Sequence, residues 1–115
     1  MKALVSNGKN DLNLIELPDP KCGPDDLIIK PQAIGICGTD LEIIHNKMDP
    51  EYIRYPVTIG HEWTGKVFEV GSNVKGIEVG QRVVVEGLIP CNKCHECAIG
   101  ATNRCLTYDE IGFTR

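Results

Sequence analysis

The sequence predicts a single domain with a mainly β fold and a few short helices, and three observations support this prediction. Short apolar runs, partly β-branched, alternate with turn residues along most of the chain. Helix is the minority element, and residues 40–46 combine an acidic start with enough apolar residues for one or two helical turns. A chain of 115 residues has the length of one domain and encloses one hydrophobic core.

The predicted strands are residues 2–6, 12–17, 27–36, 62–70 and 81–86. The first two flank the turn sequence Asn7-Gly8-Lys9-Asn10-Asp11, which predicts a hairpin. Pro31 lies within the third strand and indicates a sheet edge or a bulge, because proline donates no hydrogen bond to a strand ladder. Residues 47–56 are predicted to form a surface loop.

Charge and composition exclude several classes of partner. The chain carries 12 basic and 16 acidic side chains, and its Lys and Arg residues form no stripe that could bind along a phosphate backbone. We therefore expect no nucleic acid partner. Polar residues soon interrupt the N-terminus, and no apolar run reaches the thickness of a bilayer, so we expect neither a signal peptide nor a membrane partner. We therefore expect a cytoplasmic protein, in which six cysteines indicate metal binding or catalysis sooner than disulfides.

Four of the cysteines form a cluster, Cys91, Cys94, Cys97 and Cys105, with the spacing C-x2-C-x2-C-x7-C. Four thiolates satisfy the tetrahedral preference of zinc and leave no position for water or substrate, which makes such a site structural. An iron-sulfur cluster is the alternative, but the bacterial ferredoxin run places its next cysteine after three residues and before a proline. Here the gap is seven residues, so the spacing favours zinc.

A second set of metal-ligand residue types comprises Cys37 and the adjacent pair His61-Glu62, each next to a glycine. Taken singly, a cysteine after a strand is more often a small buried residue than a metal ligand, and a His-Glu pair is more often an ordinary pair of surface residues. The segment around the histidine nevertheless matches a long pattern, Gly60-His61-Glu62-x2-Gly65-x5-Gly71-x2-Val74. This pattern is the signature of zinc alcohol dehydrogenases.

With Gly35-Ile36-Cys37-Gly38-Thr39-Asp40 and the four-cysteine cluster, this pattern makes the whole chain resemble the N-terminal catalytic domain of zinc-containing medium-chain dehydrogenases. That family includes alcohol, sorbitol, threonine and glucose dehydrogenases. The resemblance implies that residues 1–115 form a GroES-like β-barrel with a structural zinc lobe at residues 91–105. It also implies that Cys37 and His61 ligate a catalytic zinc, and that Glu62 joins them or stands just behind.

The resemblance implies two further roles. Thr39 matches the hydroxyl that takes the proton from the alcohol. Asp40 matches the carboxylate that accepts a hydrogen bond from the zinc-bound histidine, although an acidic residue here also suits a helix N-cap. One position departs from the family, because Glu42 stands where alcohol dehydrogenases often have a histidine. His45, three residues later, is interpreted as a solvated loop histidine.

The implied function is that of a fragment of a zinc-dependent dehydrogenase, which uses NAD or NADP to oxidise a secondary alcohol, polyol or sugar. No G-x-G-x-x-G occurs in the sequence, so we expect a truncated chain, inactive alone, whose nucleotide-binding domain and remaining zinc ligand follow Arg115. The catalytic site is then expected to hold metal weakly, and the full protein to be a homodimer or homotetramer. The alternative is a non-catalytic, zinc-stabilised module for protein interaction.

Overall fold

The computed structural model describes residues 1–114, so the last residue of the predicted domain, Arg115, lies outside the described residues. Strands dominate it, as the sequence predicts. The strands are β1 (Lys2–Gly8), β2 (Asp11–Glu16), β3 (Leu27–Gly35), β4 (Val57–Thr58), β5 (Glu62–Val70), β6 (Arg82–Val85), β7 (Leu88–Ile89) and β8 (Asp109–Glu110). The helices are α1 (Gly38–Ile44), α2 (His95–Ala98) and a 3-10 turn (Thr102–Arg104).

The N-terminal hairpin forms one side of a three-stranded sheet. β1 pairs antiparallel with β2, and the strand order is β2-β1-β4. The connecting residues Lys9 and Asn10 have φ angles of 56° and 64°, the left-handed values that a tight turn between twisted strands requires. The predicted hairpin is therefore confirmed.

A second three-stranded sheet, in the order β3-β5-β6, leads directly to the functional residues. β3 is an edge strand, and its register against β5 shifts between Pro31 and Ala33. The proline thus lies at both an edge and a bulge. A two-stranded ribbon of β7 and β8 follows and frames the cysteine lobe.

The hydrophobic core lies against α1 and consists of Ile43, Ile53, Val57, Ile59 and Phe113. The interpretation of residues 47–56 as a surface loop is wrong for Ile53, which is only 6% exposed. Ile53 turns inward onto the apolar face of α1, where it joins Ile43 and Val57 of β4, and the hydroxyl of Tyr55 donates to the carbonyl of Ile43. None of the helices within residues 1–114 has the length and apolar character needed to cross a bilayer.

Candidate functional site

The four clustered cysteines converge because three short turns bring their side chains together. Cys91 follows β7, and Asn92 next to it has a φ of 55°, which reverses the chain. Cys94 is the N-cap of α2, and Cys97 lies in that helix. Cys105 caps the end of the 3-10 turn and is buried. All four Sγ atoms lie within 4.8 Å of one another.

The sulfur geometry suits a tetrahedral zinc ion. Zinc-sulfur bonds of about 2.3 Å place the sulfurs of a regular tetrahedron about 3.8 Å apart. The Sγ of Cys97 lies 3.9 Å from that of Cys91 and 3.5 Å from that of Cys94. These four residues therefore fit a closed, structural zinc site, as the spacing predicts.

The surroundings of the cluster shift the pKa values of its cysteines in opposite directions. The hydroxyl of Thr107, together with backbone N–H groups of Lys93 and Cys94, lowers the pKa of Cys91 to about 5. Desolvation raises the pKa of Cys97 to about 12, and its thiol neighbours add to this. Four neighbouring thiols cannot all ionise at close range without a cation, so their pKa values divide in this way.

An ion pair that sequence reasoning missed braces the lobe. The carboxylate of Glu96 is 16% exposed, and its Oε2 lies 3.2 Å from Nε of Arg104. The pair joins α2 to the 3-10 turn that precedes Cys105. The only signal in the sequence is the presence of two opposite charges in one cysteine loop, which is too common to be diagnostic.

The second site is centred on Cys37 and His61, which lie 24 residues apart in the chain. The Sγ of Cys37 lies 3.1 Å from Nε2 of His61. Cys37 precedes α1 as its N-cap, and His61 lies directly before β5. Gly60 has a φ of 102°, and a Cβ at this position would lie 2.8 Å from a methyl group of Ile34, so glycine permits this approach.

Glu62 completes a possible ligand set with this pair. One of its carboxylate oxygens lies within 4.8 Å of both the sulfur of Cys37 and a ring nitrogen of His61. A tetrahedral zinc with sulfur and nitrogen bonds of about 2.3 Å and 2.0 Å would separate those two atoms by about 3.5 Å. The three donors therefore fit a zinc ion after the Cys37–His61 pair opens by a few tenths of an ångström.

Asp40 is fully buried and stands behind His61. One oxygen accepts a hydrogen bond of 2.9 Å from the N–H of Cys37, and the other accepts one of 3.3 Å from the N–H of Gly60. That second oxygen also lies 3.4 Å from Nδ1 of His61, a contact without hydrogen-bond alignment that leaves this buried nitrogen unsatisfied. Asp40 therefore lies against His61, and its predicted role toward that histidine stays a prediction.

The interpretation of Asp40 as a helix N-cap is wrong. α1 begins at Gly38, two residues earlier than predicted, and Cys37 is the N-cap. Asp40 is the third helical residue and closes a capping box by accepting from the cap backbone. The N-cap prediction failed because cysteine is an unusual capping residue, whereas aspartate is a common one.

Thr39 and His45 lie at opposite ends of α1. Thr39 is half-buried in the first turn, and its N–H donates to the sulfur of Cys37 at 3.3 Å. His45 is the exposed C-cap residue, and its ring contacts Asn10 in the hairpin turn. The helix therefore separates His45 from His61.

An open cavity of about 660 Å³ lies beside the metal-ligand pair. His61, Glu62 and Trp63 form part of its wall. The remaining wall residues include Ile34, Val84, Glu86, Leu88 and Glu110. A small molecule entering this cavity would meet His61 directly.

The family model described as the alcohol dehydrogenase GroES-like domain matches residues 23–114. The chain belongs to this family. The predicted family and the GroES-like fold class are thus confirmed. The match covers both candidate metal sites, but it does not by itself assign a role to any of their residues.

Relatives of this alcohol dehydrogenase GroES-like domain are dehydrogenases. The L-threonine 3-dehydrogenase of Cutibacterium acnes (strain DSM 16379 / KPA171202) is 41% identical over 98% of this chain and 33% of its own length. The crystal structure of galactitol-1-phosphate dehydrogenase from Escherichia coli matches with a TM-score of 0.89 at 34% identity, over 100% of this chain and 33% of the other.

A further structural neighbour contains a nicotinamide cofactor. It is the short chain alcohol dehydrogenase (rspB) from E. coli CFT073 complexed with NADH, with a TM-score of 0.88 at 33% identity, over 99% of this chain and 32% of the other. The chain spans about a third of the length of the relatives that it matches.

Proposed function

We propose that this domain provides the zinc site and part of the substrate cavity of a zinc-dependent NAD or NADP dehydrogenase that oxidises a secondary alcohol, polyol or sugar. The observation that supports it most is the 3.1 Å approach of Cys37 Sγ to His61 Nε2 beside the cavity. The named relatives, all dehydrogenases, support the same reaction class.

The ligands in this proposal are Cys37, His61 and Glu62 for a catalytic zinc, and the four-cysteine cluster for a structural zinc. When bound, the catalytic zinc supplies Lewis acidity that lowers the pKa of an alcohol, while the nicotinamide accepts the hydride. Cys37 and His61 would hold the ion, with His61 at the cavity wall. Glu62 is exposed, and its carboxylate would either join these ligands or stand just behind them.

Thr39 is the proposed proton acceptor for the alcohol. A hydroxyl carries one donor and two acceptor sites, so it receives a proton on one side and passes one on from the other. Its backbone N–H donates to the Cys37 sulfur at 3.3 Å, so Thr39 lies beside that proposed ligand. In this proposal the proton passes to the hydroxyl, whereas the hydride passes to the nicotinamide.

Asp40 sets the tautomer of His61 in this proposal. Its buried carboxylate lies 3.4 Å from Nδ1, so its charge stabilises a proton on Nδ1 and leaves the lone pair of Nε2 for the metal. The carboxylate is itself fixed by two backbone N–H groups. The capping box of α1 and the tautomer of His61 therefore depend on one side chain.

We expect the variant Asp40→Asn to lose about tenfold to a hundredfold in zinc affinity at the Cys37–His61 site. Asparagine keeps the capping acceptor, but it replaces the charged oxygen that faces His61 and the N–H of Gly60 with a neutral NH2 group. Competition titration with a chelator in the full natural protein measures this. Glu42→Gln, an exposed carboxylate on the same helix, is the matched control. Equal affinities of the two variants would contradict this role of Asp40.

The charge of the cavity wall restricts the class of substrate that we propose. With Glu62 assigned to the zinc, its described lining still includes the carboxylates of Glu86 and Glu110 and no lysine or arginine. A like-charge contact at a protein surface costs on the order of 1 to 4 kcal/mol. We therefore expect kcat/KM for neutral polyols or amino alcohols to exceed that for a phosphorylated polyol by at least about tenfold.

The comparison of galactitol with galactitol 1-phosphate, and of both with L-threonine, measures this preference in the full natural protein. Glu110→Gln should reduce the discrimination, whereas Glu16→Gln, an exposed carboxylate on β2, should not. A preference for the phosphate ester in the unmodified protein would refute the expectation about charge and leave the dehydrogenase proposal intact.

The nucleotide-binding domain and a further ligand for the catalytic zinc lie outside this chain in our proposal. We also propose that the full protein is a cytoplasmic homodimer or homotetramer. Oxidation of a panel of secondary alcohols with NAD and with NADP tests the function in the full natural protein. If zinc-containing protein reduced neither NAD nor NADP with any alcohol of the panel, that result would favour the non-catalytic interaction module.

A further inference from the structure

Phe113 packs directly on the ring of His61. The two ring centroids are 4.8 Å apart, and the ring planes meet at 55°. Phe113 is 7% exposed and belongs to the core cluster next to α1. The phenyl ring therefore forms the boundary between the hydrophobic core and the candidate metal ligand.

Apart from the 3.1 Å contact between its Nε2 and the sulfur of Cys37, His61 has few other constraints on the rotation of its ring. The contact between its Nδ1 and Asp40 is 3.4 Å long and lacks hydrogen-bond alignment. The torsion that turns an imidazole ring is broad and has no sharp staggered minimum, so poorly aligned contacts hold it weakly. A tilted aromatic neighbour restricts that rotation and is a favoured geometry for ring pairs.

The backbone around Phe113 is fixed against the same histidine. Gly112 has a φ of 82°, and a Cβ there would lie 3.4 Å from Cβ of His61. The carbonyl of Phe113 accepts a hydrogen bond of 3.0 Å from the N–H of Arg54, and its N–H donates to the carbonyl of Glu110 at 3.3 Å. The phenyl ring is thus supported by the loop that also carries Ile53 of the core.

We propose that Phe113 is a positioning residue for His61, whose ring holds the imidazole so that Nε2 faces the sulfur of Cys37. The proposal rests on the proposed function only in naming a metal at that pair. It links packing of the core beside α1 to the geometry of the ligand set. No hydrogen bond carries this link, so it lies outside the polar network of Asp40.

The experiment replaces Phe113 in the full natural protein and observes the metal with Co²⁺. Phe113→Met keeps most of the volume and removes the ring, so it is expected to be tolerated in the core. Ile53→Val, in the same core cluster, is the matched control. Cys37→Ser identifies which absorption bands belong to this site, since that variant retains only the four-cysteine cluster.

We expect Phe113→Met to shift the visible cobalt bands of the Cys37 site and to lower its Co²⁺ affinity by about tenfold, the low end for residues that orient metal ligands. Phe113→Tyr, which keeps a ring, should preserve the wild-type bands. Wild-type bands and affinity in Phe113→Met, or equal changes in Ile53→Val and Phe113→Met, would overturn the proposal.

Failure of the proposed function has a different signature. In that case the wild-type protein would show no cobalt bands that Cys37→Ser removes. If Phe113→Met does not fold, Phe113→Leu and Phe113→Tyr supply the comparison of a lost ring with a kept ring. Loss of the wild-type bands in Phe113→Tyr as well as Phe113→Leu, with folded protein, would also overturn the positioning role.

Discussion

Replacing Cys37 with serine is expected to reduce alcohol oxidation by the full natural protein by about a thousandfold or more. Cys37 and His61 are the two proposed ligands whose donor atoms lie 3.1 Å apart, and Lewis acidity at a zinc held there would contribute several kcal/mol to such a reaction. Steady-state reduction of NAD or NADP measures the loss. Zinc content should fall from two ions per chain to one.

Cys22→Ser is the matched control for this variant. Cys22 lies in the loop between β2 and β3, and its thiol donates to the carbonyls of Gly23 and Asp26 in that loop, so its loss should leave activity and zinc content unchanged. If Cys37→Ser retained full activity, the candidate site would have no part in the reaction. One zinc per chain in both the wild type and Cys37→Ser would instead favour the interaction module.

Loss of the structural zinc should have the largest effect on stability. We expect Cys94→Ser to remove that ion and to lower the free energy of unfolding by on the order of 5 kcal/mol, a fraction of the metal-binding energy of small zinc modules. The lobe has no other core, because among its described residues Cys105 alone is buried. Denaturant unfolding, with zinc assayed in parallel, measures the loss.

Arg104→Gln is an informative companion to Cys94→Ser. It removes the partly exposed ion pair with Glu96 and leaves every sulfur in place, so its cost should stay within about 1 kcal/mol. If Cys94→Ser were no more destabilising than Arg104→Gln, the lobe would not depend on a metal. Retention of two zinc ions by Cys94→Ser would contradict the assignment of the cluster.

The strand pattern could be predicted from the sequence because it depends on local signals. The turn at Lys9-Asn10 and the bulge near Pro31 follow from backbone preferences of single residues. The burial of Ile53 could not be predicted in this way. Whether a loop residue folds inward depends on the apolar side chains that other elements bring to it, here Ile43 of α1 and Val57 of β4.

The two metal-ligand sets were predictable for different reasons. The cysteine cluster is contained in 15 consecutive residues, so its spacing alone indicates convergence. Cys37 and His61 converge only through the fold, and their selection depended on resemblance to a family. The contact between Phe113 and His61 spans 52 residues and involves no ligand chemistry, so no motif indicated it.

The most direct test of the proposed reaction follows a deuterium atom from alcohol to nucleotide. The full natural protein is incubated with NAD or NADP and secondary alcohols deuterated at the carbinol carbon, and the reduced nicotinamide is examined by mass spectrometry. The account predicts one deuterium transferred per turnover, and loss of that transfer in Cys37→Ser. Zinc-loaded protein that transfers no deuterium from any alcohol, polyol or sugar would contradict it.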